Sequence, residues 1–92
     1  MTTDTSKPRL RSDLVTRDVA DDFLVYDPDN GETYLLNPTA AAIVELCDGT
    51  SNAAAIAEEI ASITHAEREP VLIDVERTLR DLTEKRLVVW QK

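Results

Sequence analysis

Short segments of apolar and β-branched residues occupy the first part of the chain, and they predict three β-strands. Residues 14–19 are rich in β-branched residues and place Val15 and Val19 on one face, and residues 23–26 and 33–36 are more strongly apolar. Residues 27–31 between the last two segments form a turn cluster that ends in Asn-Gly, a pair that suits a tight hairpin. We therefore expect the second and third strands to form an antiparallel hairpin.

Apolar residues at helical spacing predict three helices in the rest of the chain. Asn37 and Pro38 favour the start of the first helix, because asparagine caps helix N-termini and proline suits the first helical position. Ser51 or Asn52 can cap the second helix, and Pro70 is expected to open the third. The predicted buried stripes are Ile43, Leu46 and Cys47, then Ile56, Ile60 and Ile63, then Leu72, Val75, Leu79 and Leu82.

This order predicts an α+β domain, in which a three-stranded antiparallel sheet is followed by three helices. Three strands cannot bury an apolar face alone, so the helices are expected to cover one face of the sheet. Residues 1–12 are polar and lack periodicity, and we expect a flexible tail there, with residues 13–92 forming one domain. The apolar residues 87–90 are expected to pack back on the core.

The hairpin is apolar on both faces, because its strands are apolar at nearly every position and not only at alternate ones. These apolar residues are Leu24, Tyr26, Tyr34 and Leu36, together with Phe23, Val25 and Leu35. Core packing accounts for most of these side chains. The face or edge that the helices leave uncovered is a candidate peptide-binding surface.

The charge of the chain argues against a nucleic-acid partner. Ten basic residues stand against eighteen acidic ones, for a net charge of -8, whereas nucleic-acid binders carry a basic face. The single cysteine cannot form a disulfide within the chain, which suits a reducing cytoplasm. No apolar segment approaches the roughly 20 residues that span a bilayer, and no signal peptide is apparent. We expect a cytoplasmic protein without a membrane partner.

Residue types that could carry chemistry do not form a site in the sequence. We expect Cys47 to pack in the core and His65 to be a solvated residue at a helix end. Residues 27–32 resemble the start of a calcium loop, but Gly31 stands where a carboxylate or amide is needed, and Pro38 where the closing glutamate is needed. The carboxylate pairs are expected to be solvated. The sequence therefore predicts no catalytic residue, no metal site and no cofactor.

Two segments resemble PqqD-like proteins. The stretch from Tyr34 to Ile43, which contains Leu-Asn-Pro-Thr-Ala, resembles the strand-to-helix junction of that family. The stretch from Glu45 to Thr50, which contains Leu-Cys-Asp-Gly-Thr, resembles the helix end that follows it. Matches in the predicted second and third helices extend the resemblance to about residues 8–90.

The resemblance implies a winged helix-turn-helix-like fold that binds the leader of a ribosomally synthesised precursor peptide. Members of that family are called recognition elements because they bind the leader. In them the leader adds as a strand beside the third strand and lies in a groove against the third helix. The domain presents the leader to a modifying enzyme such as a radical SAM protein. Carried over by position, the peptide-binding residues are Thr33, Tyr34, Leu35 and Leu36 of the strand and Val71, Asp74, Arg77, Thr78 and Asp81 of the helix.

Alternatives remain open at this point. The name-giving members of the family show Leu-Leu-Ala-Pro-Glu near the second strand, whereas this chain has residues 24–29 there and a longer turn. The product could be pyrroloquinoline quinone, a lasso peptide or another modified peptide. The runner-up function is a winged-helix DNA-binding regulator. Its predicted recognition helix carries Arg77 and Arg80, but also four acidic residues, which disfavour contact with DNA. A third alternative is a subunit or fragment of a modifying enzyme, although we expect a stand-alone protein.

Overall fold

The computed structural model describes residues 6–20 and 22–91. The α+β architecture is confirmed: a three-stranded antiparallel sheet precedes three helices, and a small two-stranded sheet adds to them. In chain order the elements are β1 (Lys7–Leu10), β2 (Val15–Val19), β3 (Asp22–Asp27), β4 (Glu32–Leu36), α1 (Pro38–Glu45), α2 (Ala53–Thr64), α3 (Arg68–Glu84) and β5 (Val88–Gln91).

The three-stranded sheet has β3 at its centre, between β2 and β4. The predicted hairpin of β3 and β4 is confirmed, with Val25 opposite Tyr34. Gly31 provides the positive φ of the turn, at 76°, and the side chain of Asn30 accepts a hydrogen bond of 2.9 Å from the Glu32 N–H. One face of the hairpin packs on the helices, and the opposite face is exposed beside β2.

The prediction of a flexible tail is wrong for Lys7–Leu10, which forms a strand paired antiparallel with β5. The other edge of β1 is also bonded: the Leu10 N–H donates to the Cys47 carbonyl (3.0 Å), and the Gly49 N–H donates to the Pro8 carbonyl (3.1 Å). Proline is compatible with this strand because the Pro8 position uses only a carbonyl on that edge. Four residues are too few to show a period. Residues 1–5 of the predicted tail lie outside the described residues.

The first two helices begin at asparagine caps, whereas α3 has no side-chain cap. The Asn37 side chain accepts from the Ala40 N–H at 2.8 Å at the start of α1, and Asn52, not Ser51, caps α2 in the same way. α3 begins at Arg68, so the expectation that Pro70 opens it is wrong. Proline is accommodated within the first turn because the N–H groups there have no partner inside the helix.

The core lies between the inner face of the hairpin and the three helices. Its buried side chains are Val25, Leu36, Ile43, Val44, Cys47, Ile56, Ala57, Val75, Leu79, Leu82, Leu87 and Val88. In the predicted stripe of α3, Val75, Leu79 and Leu82 are buried, and Leu72 is half-buried against the core. Ile63 of the α2 stripe is instead 68% exposed, because the buried face of α2 is centred on Ala57 and Ala61. These small residues let α2 pack closely on α3 and rotate Ile63 toward solvent.

A charged network ties the hairpin turn to the rest of the molecule. Asp27 is 1% exposed, and its carboxylate receives two hydrogen bonds from the Arg11 guanidinium, at 2.9 and 3.1 Å. Arg11 also donates to Asp13 and to the carbonyl of Arg86. The hydrogen bonds from Arg11 lower the pKa of Asp27 below its ordinary value. The pair is therefore ionised at neutral pH.

None of the helices in the described part of the chain is both long enough and apolar enough to cross a membrane.

Candidate functional site

The outer edge of β4 has no paired strand in the part of the chain that the structure describes, since β3 occupies only its other edge. The hairpin turn shows how the backbone of β4 is oriented. The Asp27 carbonyl accepts a hydrogen bond of 2.8 Å from the Gly31 N–H, so the backbone groups of Asp27 point toward β4. Asp27 is paired with Glu32, whose backbone groups accordingly point back toward β3.

Backbone direction alternates along a strand, so Tyr34 and Leu36 also direct their N–H and C=O groups toward β3. The same alternation directs those of Thr33 and Leu35 to the open edge. The side chains divide between the two faces of the sheet: Leu36 is buried and Tyr34 half-buried on the inner face, while Leu35 is 61% exposed on the outer face. Of the four predicted strand residues, Thr33 and Leu35 can therefore pair with an added strand through their backbone groups, whereas Tyr34 and Leu36 cannot.

A groove of about 520 Å³ lies between α3 and the start of α1, which directly follows β4. It is lined by Asn37, Thr39 and Ala40 on one side and by Asp74, Arg77, Thr78 and Asp81 on the other. Four of the five predicted helix residues therefore lie together on one wall. Val71 does not line this space, because it is half-buried against the hydrophobic core. We call the open edge of β4 together with this space the β4–α3 groove; one of its walls is β4 with the start of α1, and the other is α3.

Lys85 connects the two walls of the β4–α3 groove. Its ammonium group lies 2.7 Å from the Asp81 carboxylate and 5.8 Å from the centroid of the Tyr34 ring. Lys85 was not among the predicted site residues, although its position four residues after Asp81 on a helix is a recognisable signal for an ion pair. Sequence reasoning could not reveal that Tyr34 approaches it from the sheet.

The charges of the groove are matched but weakly held. Asp74 and Arg77 are 3.7 Å apart, and both side chains are largely exposed, as are those of the Asp81–Lys85 pair to a lesser degree. Exposed ion pairs of this kind contribute only about 0.2–1 kcal/mol each, so an incoming peptide can replace them at little cost. Thr78 is half-buried between these pairs and offers a hydroxyl group to the groove.

Exposed apolar side chains cover the outer face of the sheet from β4 across to β2. Val15 and Tyr26 are cross-strand partners, and Leu24 faces Leu35, so these residues share the outer face of the sheet. Val15, Tyr26 and Leu35 are exposed. An added strand at β4 would extend this apolar face, because paired residues place their side chains on the same side.

Residues with potential chemistry lie elsewhere. Cys47 packs in the core as expected, and its thiol donates to the Ile43 carbonyl at 3.2 Å. Burial, with a smaller effect of Asp48, raises the pKa of Cys47 to about 12, so the thiol is protonated at neutral pH. His65 is exposed at the end of α2, as expected. Within residues 6–20 and 22–91, no three His, Cys, Asp or Glu side chains gather to form a metal site.

Comparison with known proteins gave one family and two solved structures. The family model described as "Coenzyme PQQ synthesis protein D (PqqD)" matches residues 22–88. No curated protein matches the sequence.

One similar structure is TbiB1 in complex with the TbiA(beta) leader peptide. It is 20% identical, with a TM-score of 0.76, and the match covers 87% of this chain and 93% of that one. The other is the solution NMR structure of the PqqD truncation of Methylobacterium extorquens PqqCD, described as a functional and stand-alone recognition element. It is 24% identical, with a TM-score of 0.75, and the match covers 89% of this chain and 87% of that one. At these identities the two structures show that the fold is shared.

Proposed function

This chain belongs to the PqqD family, and from that premise we propose that it binds the leader of a ribosomally synthesised precursor peptide and presents it to a modifying enzyme. The open edge of β4 beside the groove along α3 is the observation that carries the proposal. The similar TbiB1 structure contains a leader peptide, and the similar PqqD structure is described as a recognition element, which support the same role.

In the proposed complex the leader adds to the sheet as a strand next to β4. Its backbone groups pair with the N–H and C=O groups that Thr33 and Leu35 direct outward. Leader residues opposite Thr33 and Leu35 place their side chains on the outer face of the sheet, where Leu35 offers apolar contact. Leader residues of the other parity, opposite Tyr34, point into the groove along α3.

The wall of α3 selects among leader sequences. Thr78 can donate to or accept from a polar leader side chain, and the flanking ion pairs of Asp74 and Asp81 can exchange partners with it. Strand addition alone is tolerant of sequence, because every residue has the same backbone groups. The side chains on α3 therefore supply the specificity and fix the register of the leader.

The proposed role is non-catalytic. It is supported by the thiol of Cys47, which is buried and protonated. Holding the leader raises the effective concentration of the attached core peptide at the partner enzyme, which requires no chemistry from this domain. A radical SAM enzyme is one partner of the proposed kind, and a cytoplasmic location, consistent with the single cysteine, is part of the proposal.

The proposal is tested with a synthetic peptide that corresponds to the leader of a short precursor gene beside the gene of this protein. Calorimetric titration should show saturable binding with one peptide per domain. Thr78→Arg and Asp74→Arg should each weaken binding about tenfold or more, because a long cationic side chain fills the groove; tenfold corresponds to about 1.4 kcal/mol.

Glu76→Arg is the matched control for these variants. Glu76 lies on the same helix but on a different side, where it lines a second pocket with Arg80 and Trp90. The control makes the same change of charge as Asp74→Arg and should bind the leader like the wild type. Unchanged affinity in both groove variants, with intact circular dichroism, would place the binding site elsewhere.

A further inference from the structure

We propose that Arg11 is a positioning residue that holds the two walls of the β4–α3 groove at a fixed separation. This inference rests on the proposed function, because it describes how the same groove is kept in shape. Arg11 lies between β1 and β2 and is not itself among the residues that line the groove.

On the sheet side, Arg11 binds the end of the hairpin that carries the open edge. Its Nη1 and Nη2 atoms donate to the two carboxylate oxygens of Asp27, at 2.9 and 3.1 Å. Asp27 is the last residue of β3 and is paired with Glu32, the first residue of β4. A planar guanidinium that binds a carboxylate through two parallel bonds fixes orientation as well as distance. Arg11 therefore anchors the end of the hairpin at which β4 begins.

On the helix side, Arg11 binds the turn that ends α3. Its Nη1 donates to the Arg86 carbonyl at 2.8 Å, and its backbone N–H donates to the Leu87 carbonyl at 3.0 Å. Arg86 directly follows Lys85 and has a φ of 63°, in a turn that ends α3 through hydrogen bonds from the Arg86 and Leu87 N–H groups to Thr83 and Leu82. The same guanidinium thus binds beside one end of each wall.

The burial of Asp27 makes this contact difficult to replace. Asp27 is 1% exposed, and besides Arg11 its carboxylate accepts from the Asp29 N–H at 2.9 Å within the same turn. A buried carboxylate that loses its cation is strongly disfavoured. Without Arg11, the hairpin end would move toward solvent to hydrate Asp27, and β4 would move away from α3. Asp13 supports the present geometry, since it binds Arg11 from the solvent side at 2.6 and 3.1 Å.

The separation of the walls can be measured in the free protein by NMR. The Lys85 ammonium lies over the Tyr34 ring, at 5.8 Å from its centroid, so the methylene protons beside it should carry a ring-current shift. We expect Arg11→Met to abolish this shift and Arg11→Lys to retain part of it. Lysine keeps the positive charge but has one ammonium nitrogen in place of the two guanidinium nitrogens that bind Asp27. Arg11→Lys also decides the matter if Arg11→Met fails to fold. An unchanged Lys85 signal in folded Arg11 variants would overturn the proposal.

Binding of the same synthetic leader then connects the geometry with the function. Arg11→Met should weaken binding about tenfold or more, and Arg11→Lys should give an intermediate affinity. The control is Ile60→Ala, which removes a half-buried side chain of α2 and lowers the urea midpoint without touching the network. An equal loss of affinity in Ile60→Ala would show that Arg11 acts only through stability and would overturn the proposal. If the wild type does not bind the leader, the proposed function fails, while the Lys85 signal still decides the role of Arg11.

Discussion

Proline substitutions at Thr33 and Tyr34 should separate the fold from leader binding, because the two residues direct their N–H groups to opposite edges of β4. Proline removes the backbone donor and is tolerated in a strand only where that donor is free. The alternation set by the Asp27–Gly31 hydrogen bond directs the Tyr34 N–H at Val25, its cross-strand partner, and the Thr33 N–H at the open edge.

The expected cost of Tyr34→Pro is a large part of the stability of the domain. Val25 is fully buried, and leaving its carbonyl without a donor costs about 1–3 kcal/mol. Losing the half-buried ring of Tyr34 adds about 1 kcal/mol, since full burial of a large apolar side chain contributes about 1.5–3 kcal/mol. The sum of about 2–4 kcal/mol compares with a total stability of about 5–15 kcal/mol for a domain. Urea unfolding followed by circular dichroism should show a greatly lowered midpoint.

Thr33→Pro should leave the fold nearly intact and weaken the leader. A lost donor to the leader corresponds to about 0.5–1.5 kcal/mol, and the proline ring also obstructs the edge, so a decrease in affinity of about tenfold or more is expected. Thr33→Ala is the control, because it removes the side chain but keeps the N–H, and it should bind like the wild type. The reasoning is refuted if Thr33→Pro unfolds the domain while Tyr34→Pro does not, or if folded Thr33→Pro binds at full strength.

Three further predictions concern the core, the charged network and the alternative function. Cys47→Ala should cost about 1 kcal/mol of stability in urea and leave leader binding unchanged, as expected for a small buried side chain; loss of function in a stable variant would reveal a chemical role. The pKa of Asp27 is lowered from 3.8, so the contribution of Asp27 to stability is present above that value and is lost as the pH falls below it. Asp27→Asn should lose this component of acid unfolding. An Asp27→Asn variant whose urea midpoint depends on pH as in the wild type would contradict the prediction. Duplex DNA should not bind with sub-micromolar affinity in gel shifts at about 150 mM salt, because the net charge of -8 repels the phosphates. A sub-micromolar shift would contradict this prediction, since non-specific binders reach only about 10⁻⁴–10⁻⁶ M.

Local signals in the sequence were sufficient for the hairpin and for the starts of α1 and α2, but not for the start of α3. Asn30-Gly31 marks a turn, and Asn37 and Asn52 cap helices through bonds to residues close in the chain. Such contacts depend on neighbouring residues alone. The residues of the groove wall on α3 were implied by the family resemblance, and all of them except Val71, which packs against the core, line one groove.

The features that sequence reasoning missed depend on distant residues. β1 pairs with β5 at the opposite end of the chain, and four residues of mixed polarity do not announce a strand. The Arg11–Asp27 pair spans 16 positions and joins a connecting segment to a turn, so no periodicity relates the two. The hydrogen bond between Gly31 and Asp27 in the turn shows which N–H groups of β4 face the open edge, and side-chain patterns do not determine this.

Amide hydrogen exchange of β4, measured by NMR with and without the synthetic leader, tests strand addition most directly. The N–H groups of Thr33 and Leu35 face the open edge and should exchange rapidly in the free protein, then slow strongly when the leader is bound. The N–H of Tyr34 faces β3 and should be protected in both states, which makes it an internal control. If Thr33 and Leu35 exchange at the same rate in the free and the saturated protein, the leader does not pair with β4, and the central claim is contradicted.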